Sequence, residues 1–322
     1  MRNSLTFFLL LLLALYSTFV PALEYQFEPR QIAPNTWLIT GTTEDFSRSN
    51  GGDIVNVAFI TTDAGVLVLD TGSSKRYGEA LREVIAKVTD QPVIKVFNSH
   101  HHPDHFFGNQ AFDELPILAL PATQQLIAAR GDGYAENLYR MVGDWMRGTE
   151  VRVPDQILTP GMMEIGGHRL RLMAFSGHSG DAADLVILDE TTGVLFAFDL
   201  AFYGRAPTTP DTPDLEVWLE DIRQLMAMQF SLLVPGHGDV ADDARALDQT
   251  ADYLSWLHQT LMESAALGLT STEVMNLPVP ERFIGMDLVR EELARSVSHL
   301  YRDYEEAVLS SLTTNALEIR HK

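Results

Sequence analysis

Residues 100 to 105, His-His-His-Pro-Asp-His, bring four histidines and an aspartate into six positions. Imidazole nitrogens suit zinc and its neighbours in the transition series, while carboxylates complete the harder positions or bridge two ions. On an extended backbone the alternate residues His100 and His102 point the same way, leaving Asp104 and His105 to face an adjoining spot. Two neighbouring metal positions are the expected result. Burying several imidazoles and an aspartate together without a cation would leave donors and charge uncompensated.

More acids and imidazoles of the same kind stand at the ends of apolar runs. Asp70 ends "VLVLD", His178 follows "RLRLMAF", Asp199 ends "VLFAFD" and His237 follows "LLVPG". The strand ends on one edge of a sheet are where α/β folds gather functional groups. His101, His168, His258, His299 and His321 lack such a setting and read as surface or satisfied core residues.

The elements that would carry these groups are legible from periodicity. "TWLIT", "VNVAFITT" and "VLVLD" are rich in β-branched and aromatic residues and are broken by turn signals. From Arg76 to Val88 the period turns helical, with Leu81, Val84, Ile85 and Val88 on one face. "PVIKVFN" then reads as a buried strand running straight into the histidines, followed by a strand "PILAL", a helix from Ala122 to Trp145, and strands in "HRLRLMAF", "DLVILD", "VLFAFD" and "SLLVPG". The tail is different: Leu247, Leu254, Leu257 and Leu261 fit one helix face, and Met286, Val289, Leu293, Val297, Leu300, Tyr304 and Val308 recur at three or four residues. Thr270-Ser271-Thr272-Glu273 fits a capping box between them. A helical appendage on an α/β body is the expected architecture.

The chain has 322 residues and a net charge of -21, a surface that repels polyphosphates, and no basic run interleaved with aromatics; a nucleic-acid substrate is disfavoured. There is no cysteine, so a metal site here uses no thiolate and no disulfide framework is available. Arg2, the apolar run Leu5 to Leu15 and the small-residue pattern Val20-Pro21-Ala22 read as a signal peptide over residues 1–22, cleaved to start the mature protein near Leu23. Periplasmic or secreted location, without stable membrane insertion after cleavage, is the consequence expected.

The motif His-x-His-x-Asp-His at 100–105, with Gly177-His178-Ser179, Phe198-Asp199 and Pro235-Gly236-His237-Gly238 following in order, resembles the metallo-β-lactamase superfamily over roughly Trp37 to Asp239. That resemblance implies a four-layer αβ/βα sandwich holding two Zn2+ ions per chain. His100, His102 and His178 would hold one zinc and Asp104, His105 and His237 the other. Asp199 would bridge, as in the glyoxalase II and lactonase pattern, and Asp70 would brace the histidine loop. Two such ions lower the pKa of a shared water to roughly 7, making a hydroxide available to attack a carbonyl, with Asp104 orienting it and relaying a proton. The domain plan is then a hydrolase body over residues 23–240 and a helical extension over 241–322.

Substrate choice in this fold lies in loops. "TEDFSRSNGGD" and "LAFYGRAPTTPDTPD" are the expected pocket walls, with Phe46, Arg48, Phe202, Tyr203 and Arg205 as substrate contacts. Lactamases of the cysteine-using type carry a lysine three residues past that cysteine; Phe202 stands there in this chain, although Arg205 could supply a cation from the same loop. The stretches "SRSNGGDIVNVAFITTDAGVLVLDTGSSKRYGEALR" and "VFNSHHHPDHFFGNQAF" further resemble the quinoprotein relay system zinc metallohydrolases, relatives of the SoxH proteins. That subgroup implies a periplasmic hydrolase of a small ester, thioester, lactone or lactam, with a quinoprotein dehydrogenase as partner. The alternatives are a β-lactamase proper and a non-catalytic zinc or partner-binding protein; iron is not excluded by ligand identity, but no flavodoxin-like domain follows.

Overall fold

The computed structural model describes residues 23–320. The proposed signal segment and His321 lie outside them. In chain order the strands of the first half are β1 (Arg30–Ala33), β2 (Thr36–Ile39), β3 (Val57–Thr62), β4 (Gly65–Leu69), β5 (Val93–Phe97), β6 (Ile117–Ala119) and β7 (Gln156–Ile157), which form one sheet in that order. The second sheet is made by β8 (Gly161–Ile165), β9 (His168–Phe175), β10 (Asp184–Asp189), β11 (Val194–Phe202) and β12 (Leu232–His237). Pairing is antiparallel from β1 to β4 and parallel from β4 to β7; in the second sheet only β11 and β12 run parallel.

The helices are α1 (Lys75–Val88), α2 (Pro103–Phe106), α3 (Pro121–Val142), α4 (Leu215–Met226), α5 (Arg245–Leu267), α6 (Ser271–Met275) and α7 (Val289–Arg320). Strand alternation explains the layering. Val57 and Phe59 of β3 and Val66 and Val68 of β4 face Leu81, Val84 and Ile85 of α1, while their neighbours Ala58, Ile60, Leu67 and Leu69 face the other way. There they meet Leu185, Ile187, Val194 and Phe196 from the second sheet, so the inner layer is a dry sheet-on-sheet core. Val186, Leu188, Leu195 and Ala197 point outward onto Trp218, Leu254, Leu293 and Tyr301.

The C-terminal helices therefore complete the outer layer of the second sheet, sharing one continuous core with it. The capping box at Thr270 and Glu273 is formed as the spacing predicts. Two elements go beyond the periodicity reading. α4 carries its own signal, Asp214 as N-cap and Leu215, Trp218, Ile222 and Leu225 as buried face, directly after the stretch expected to form a pocket wall. The predicted helix to Trp145 ends at Val142, because Gly143 adopts a positive φ of 67° and the chain tightens into a 3-10 turn over Gly143–Met146.

Candidate metal centre

The chain delivers every predicted ligand to one place. His100 and His102 lie in the turn after β5 and Asp104 and His105 in α2; His178 follows β9, Asp199 lies within β11 and His237 ends β12. His100, His102, His178 and Asp199 form one buried group whose ligand atoms all lie within 4.8 Å of one another, and Asp104, His105 and His237 form a second. The imidazole rings of His100 stand 4.6 Å from His102, 4.9 Å from His178 and 4.0 Å from His105, centroid to centroid.

Asp199 is the hub between the two groups. Its Oδ2 lies 3.7 Å from His100 Nε2, 3.8 Å from His178 Nε2 and 3.4 Å from His237 Nε2, and its Oδ1 lies 3.2 Å from His105 Nε2. Its aim depends on an irregular strand. Phe198 takes a left-handed φ of 46°, and the pairing of β11 with β12 slips on either side of it. Such a bulge turns the next side chain off the regular alternation, the kind of backbone strain found at functional sites.

Around the ligands, carboxylates and carbonyls hold each ring in place. Asp70 accepts hydrogen bonds from Ser99 N at 2.7 Å and Ser99 Oγ at 2.6 Å, and its Oδ2 lies 2.8 Å from His105 Nδ1. Asp70 thus touches both the start of the histidine loop and the His105 ring. Asp184 accepts from the backbone N–H groups of His178 and Ser179 at 3.0 and 2.8 Å, and Asp221 accepts from Ser176 and Gly177 at 3.0 and 2.8 Å. His237 Nδ1 lies 2.6 Å from Ile54 O and donates to it, which leaves the Nε2 lone pair facing Asp104 and Asp199.

The charge pattern asks for a cation. Burial lowers the pKa of His100 well below the usual histidine value, helped by His105 beside it. Burial also opposes charge on His105 and His178, but Asp199, Asp104 and Asp70 hold His105 well above the usual value, and the acceptor carboxylate of Asp184 raises His178. Asp199, despite burial, is held well below the ordinary carboxylate range by the imidazoles around it, His105 foremost. His100 Nε2, His105 Nε2, His178 Nε2 and Asp199 Oδ1 are all buried without a hydrogen-bond partner among the described residues. Four orphaned ligand atoms converging on one spot are what bound metal would satisfy, so the donor set fits zinc-type ions in both groups.

The remaining candidates divide. Phe46 and Arg205 line a cavity of about 870 Å³ that opens onto His102, Asp104, Asp199 and His237. Arg48, Phe202 and Tyr203 are not among its lining residues. Phe202 is buried and stacks on the His237 ring at 5.0 Å, since the irregular end of β11 turns it into the core. Tyr203 faces a separate depression with Gly204 and Asp287, and Arg48 lies behind Trp145, to which its carbonyl is hydrogen-bonded.

Several functional positions were not foreseen. Asp211 lies 3.0 Å from His102 Nε2 and 3.4 Å from His101 Nε2 and is also paired with Arg130. Despite its burial, the imidazoles of His101 and His102 pull its pKa far below the ordinary range. His101 is thus not a satisfied core residue: it is fully buried, burial lowers its pKa to about 4, and neither ring nitrogen has a hydrogen-bond partner among the described residues. His168 does fit the bland reading, bound to Asp189 at 2.8 Å, and His258 meets the Tyr304 hydroxyl at 2.7 Å. His299, expected to be incidental, lines the cavity. An isolated acid or histidine on a loop or distant helix carries no spacing signal that would single it out.

Comparisons with known proteins bear on the fold and the family. A linear primary-alkylsulfatase from Pseudomonas sp. is 20% identical over 294 residues, covering 78% of this chain and 55% of that protein. The 2,4-dinitroanisole O-demethylase subunit alpha from Nocardioides sp. is 25% identical over 230 residues, 67% of this chain and 60% of the relative. The chain therefore spans little more than half the length of the curated relatives it matches. Among solved structures, a metallo-beta-lactamase from Pontibacter korlensis superposes with a TM-score of 0.58 at 24% identity, covering 71% of this chain and 99% of that one. A double mutant of the sec-alkyl sulfatase PisA1 gives a TM-score of 0.65 at 15% identity, covering 85% and 50%. These likenesses establish the αβ/βα sandwich with a C-terminal helical region. Residues 50–237 match the family described as the metallo-beta-lactamase superfamily, a span of more than half the chain that runs through all the predicted ligands, and to that superfamily the chain belongs.

Proposed function

We propose that this chain is a binuclear zinc hydrolase acting on a small ester, thioester, lactone or lactam. The observation that carries the reading is the set of orphaned ligand atoms around Asp199, opening onto a cavity large enough for a small organic molecule. His100, His102 and His178 would hold one ion, Asp104, His105 and His237 the other, with Asp199 shared. When bound, the metals supply Lewis acidity and water activation near neutral pH.

The chain's own residues do the rest. Asp104, whose Oδ2 lies 3.4 Å from His237 Nε2 and which lines the cavity, orients the attacking water and passes its proton toward the leaving group. Asp70, Asp184 and Asp211 fix the orientations of His105, His178 and His102. Phe46, Ile54 and Tyr134 give the cavity apolar walls that shelter the reaction from bulk water.

A second reading has one observation in its favour. The similarity to a linear primary-alkylsulfatase covers 78% of the chain, so a sulfate ester belongs among the candidate substrates. A β-lactamase proper is disfavoured by Phe202, buried where cysteine-using lactamases carry a lysine. We further propose export to the periplasm through residues 1–22 and service beside a quinoprotein dehydrogenase, which cell fractionation and co-purification would test.

The deciding experiment measures metal content of the purified protein and hydrolysis of matched ester, thioester, lactone, sulfate-ester and nitrocefin substrates, with and without chelator. Two equivalents of zinc with chelator-sensitive cleavage of a carbonyl substrate are expected. Sulfate-ester cleavage alone would move the assignment to the second reading, and full metal with no cleavage anywhere would leave a binding protein.

A further inference from the structure

The cavity beside the metal centre has a wall that comes from the far end of the chain. Arg205, in the loop after β11, lines it and is 3% exposed. Its guanidinium has few partners for its five N–H donors. Nε has none among the described residues, and Nη2 is 3.6 Å from Glu292 Oε1, beyond hydrogen-bond reach. Nη1 lies 2.9 Å from His237 Nδ1, but that nitrogen already donates its proton to Ile54 O and has no lone pair to offer. A buried guanidinium with unspent donors facing a cavity is an anion site waiting for its anion.

Glu292, in the first turn of α7, keeps it there. Its side chain is fully buried, and its Oε1 accepts hydrogen bonds from Thr208 Oγ1 at 2.9 Å and Arg295 Nη1 at 2.7 Å, while Oε2 has no partner among the described residues. Arg295 is in turn paired with Asp45, and both line the cavity. The backbone is clamped at the same place: Ala206 N donates to Asp287 O at 3.0 Å and Asp287 N donates to Gly204 O at 2.8 Å. Arg295 is thus spent on two carboxylates and Arg130 is paired with Asp211 at the exposed rim, so among the described residues Arg205 is the buried cation of the wall with unspent donors.

We propose that Arg205 is the anion-binding residue of this cavity and Glu292 the residue that positions it, so that the substrate carries an oxyanion group, a carboxylate or a sulfo group, next to an apolar body. Phe46, Ile54, Tyr134 and Met141 are the walls that receive that body. The proposal rests on reading the metal cluster and cavity as one site, but it does not require that the site hydrolyse anything.

The test is calorimetric binding to the full-length, zinc-loaded protein of hexyl sulfate, hexanoate and the neutral control hexanamide. At least one anion should bind about tenfold or more tightly than hexanamide, and which one does so separates sulfate from carboxylate. Arg205→Gln should remove most of that preference and leave hexanamide and metal content unchanged. Glu292→Gln should lose a smaller part of it. The double variant should bind the anion no more weakly than Arg205→Gln alone, because Glu292 acts through Arg205. Should Arg205→Gln not fold, Arg205→Lys, which keeps the charge and loses the fork, together with Glu292→Gln carries the comparison. Equal affinity for anions and hexanamide in the unaltered protein overturns the proposal. So does undiminished anion affinity in folded, metal-loaded Arg205→Gln or, where that fails to fold, in both replacement variants. Hydrolysis is not read, so a failure of the catalytic assignment and a failure of the anion site give different results.

Discussion

Gly236 offers the sharpest perturbation of the metal centre that leaves every ligand in the sequence. A Cβ at this position would lie 1.8 Å from Asp199 Oδ1 and 2.9 Å from Asp199 N, whereas ordinary contact begins at 3.4 Å. The difference, about 1.6 Å, has to be absorbed by the Asp199 carboxylate or by the end of β12 that carries His237. Gly236 is not among the glycines at positive φ, so Gly236→Ala acts through sterics and not through backbone conformation. Metal–ligand distances tolerate only about ±0.2 Å, so either movement breaks the hub. The substitution should remove at least one metal equivalent after dialysis against a weak chelator. Overpacking should also lower stability by about 1–3 kcal/mol, measured as a shift of the denaturation midpoint in metal-free protein. Gly133→Ala, inside α3 where an added Cβ meets nothing within 4 Å, is the control and should keep wild-type metal content with equal or greater stability. Wild-type metal affinity in Gly236→Ala would refute the placement of Asp199 between the two groups.

Three further outcomes follow from the same geometry. His102→Ala should lose at least one metal equivalent and nearly all hydrolysis, while His101→Ala, whose ring faces Asp211 and lies outside both ligand groups built around Asp199, should keep its metal; elemental analysis of both decides the ligand assignment. Asp70→Asn keeps the shape of the brace but weakens its hold on His105, and should cost about 10–100-fold in metal affinity by chelator competition; an unchanged affinity would remove Asp70 from the site. Burial pushes the Asp53 carboxyl up from 3.8 to about 6, against a smaller opposing effect of the Tyr77 hydroxyl. A raised native-state pKa means that stability is greatest below about 4, falls as pH rises to about 6 and stays lower above it. Asp53→Asn should therefore stabilise the metal-free protein at pH 7.5 by up to about 3 kcal/mol and much less at pH 4.5. Identical unfolding free energies for the two proteins at both pH values would show that Asp53 is not buried as a charge.

What the sequence made legible shares one physical property: it is encoded locally. A strand with both faces buried reads as an apolar run, and its end is marked by the first polar residue, so Asp70 and His237 could be placed without knowing which sheet they join; Asp199 also breaks an apolar run, but β11 continues past it to Phe202. The histidine run carries its own spacing. The signal fails where a residue is functional only through a partner far along the chain. Asp211 is about 110 positions from the histidines it contacts, and Glu292 lies 84 residues from Thr208 and still further from Arg205. Among 44 acidic residues nothing local marks these two. Phe202 and Tyr203 failed for the opposite reason: their loop was rightly placed beside Asp199, but the irregularity of β11 that aims Asp199 inward also decides which of its neighbours face the cavity.

The C-terminal helices gain a different meaning from these contacts. Their apolar spacing fits a packing role, and they do bury Leu254, Leu293 and Tyr301 against the second sheet. Yet the same helix α7 that packs there carries Arg295 and His299 to the cavity wall and sets Glu292 3.6 Å behind Arg205, which also lines the cavity. Packing and chemistry are then coupled through one rigid element, because α7 cannot shift on the sheet without moving Glu292 relative to Arg205. A fold whose ligands come from strand ends is thus free to change substrate by changing what the appended helix presents, with the metal centre left as it is.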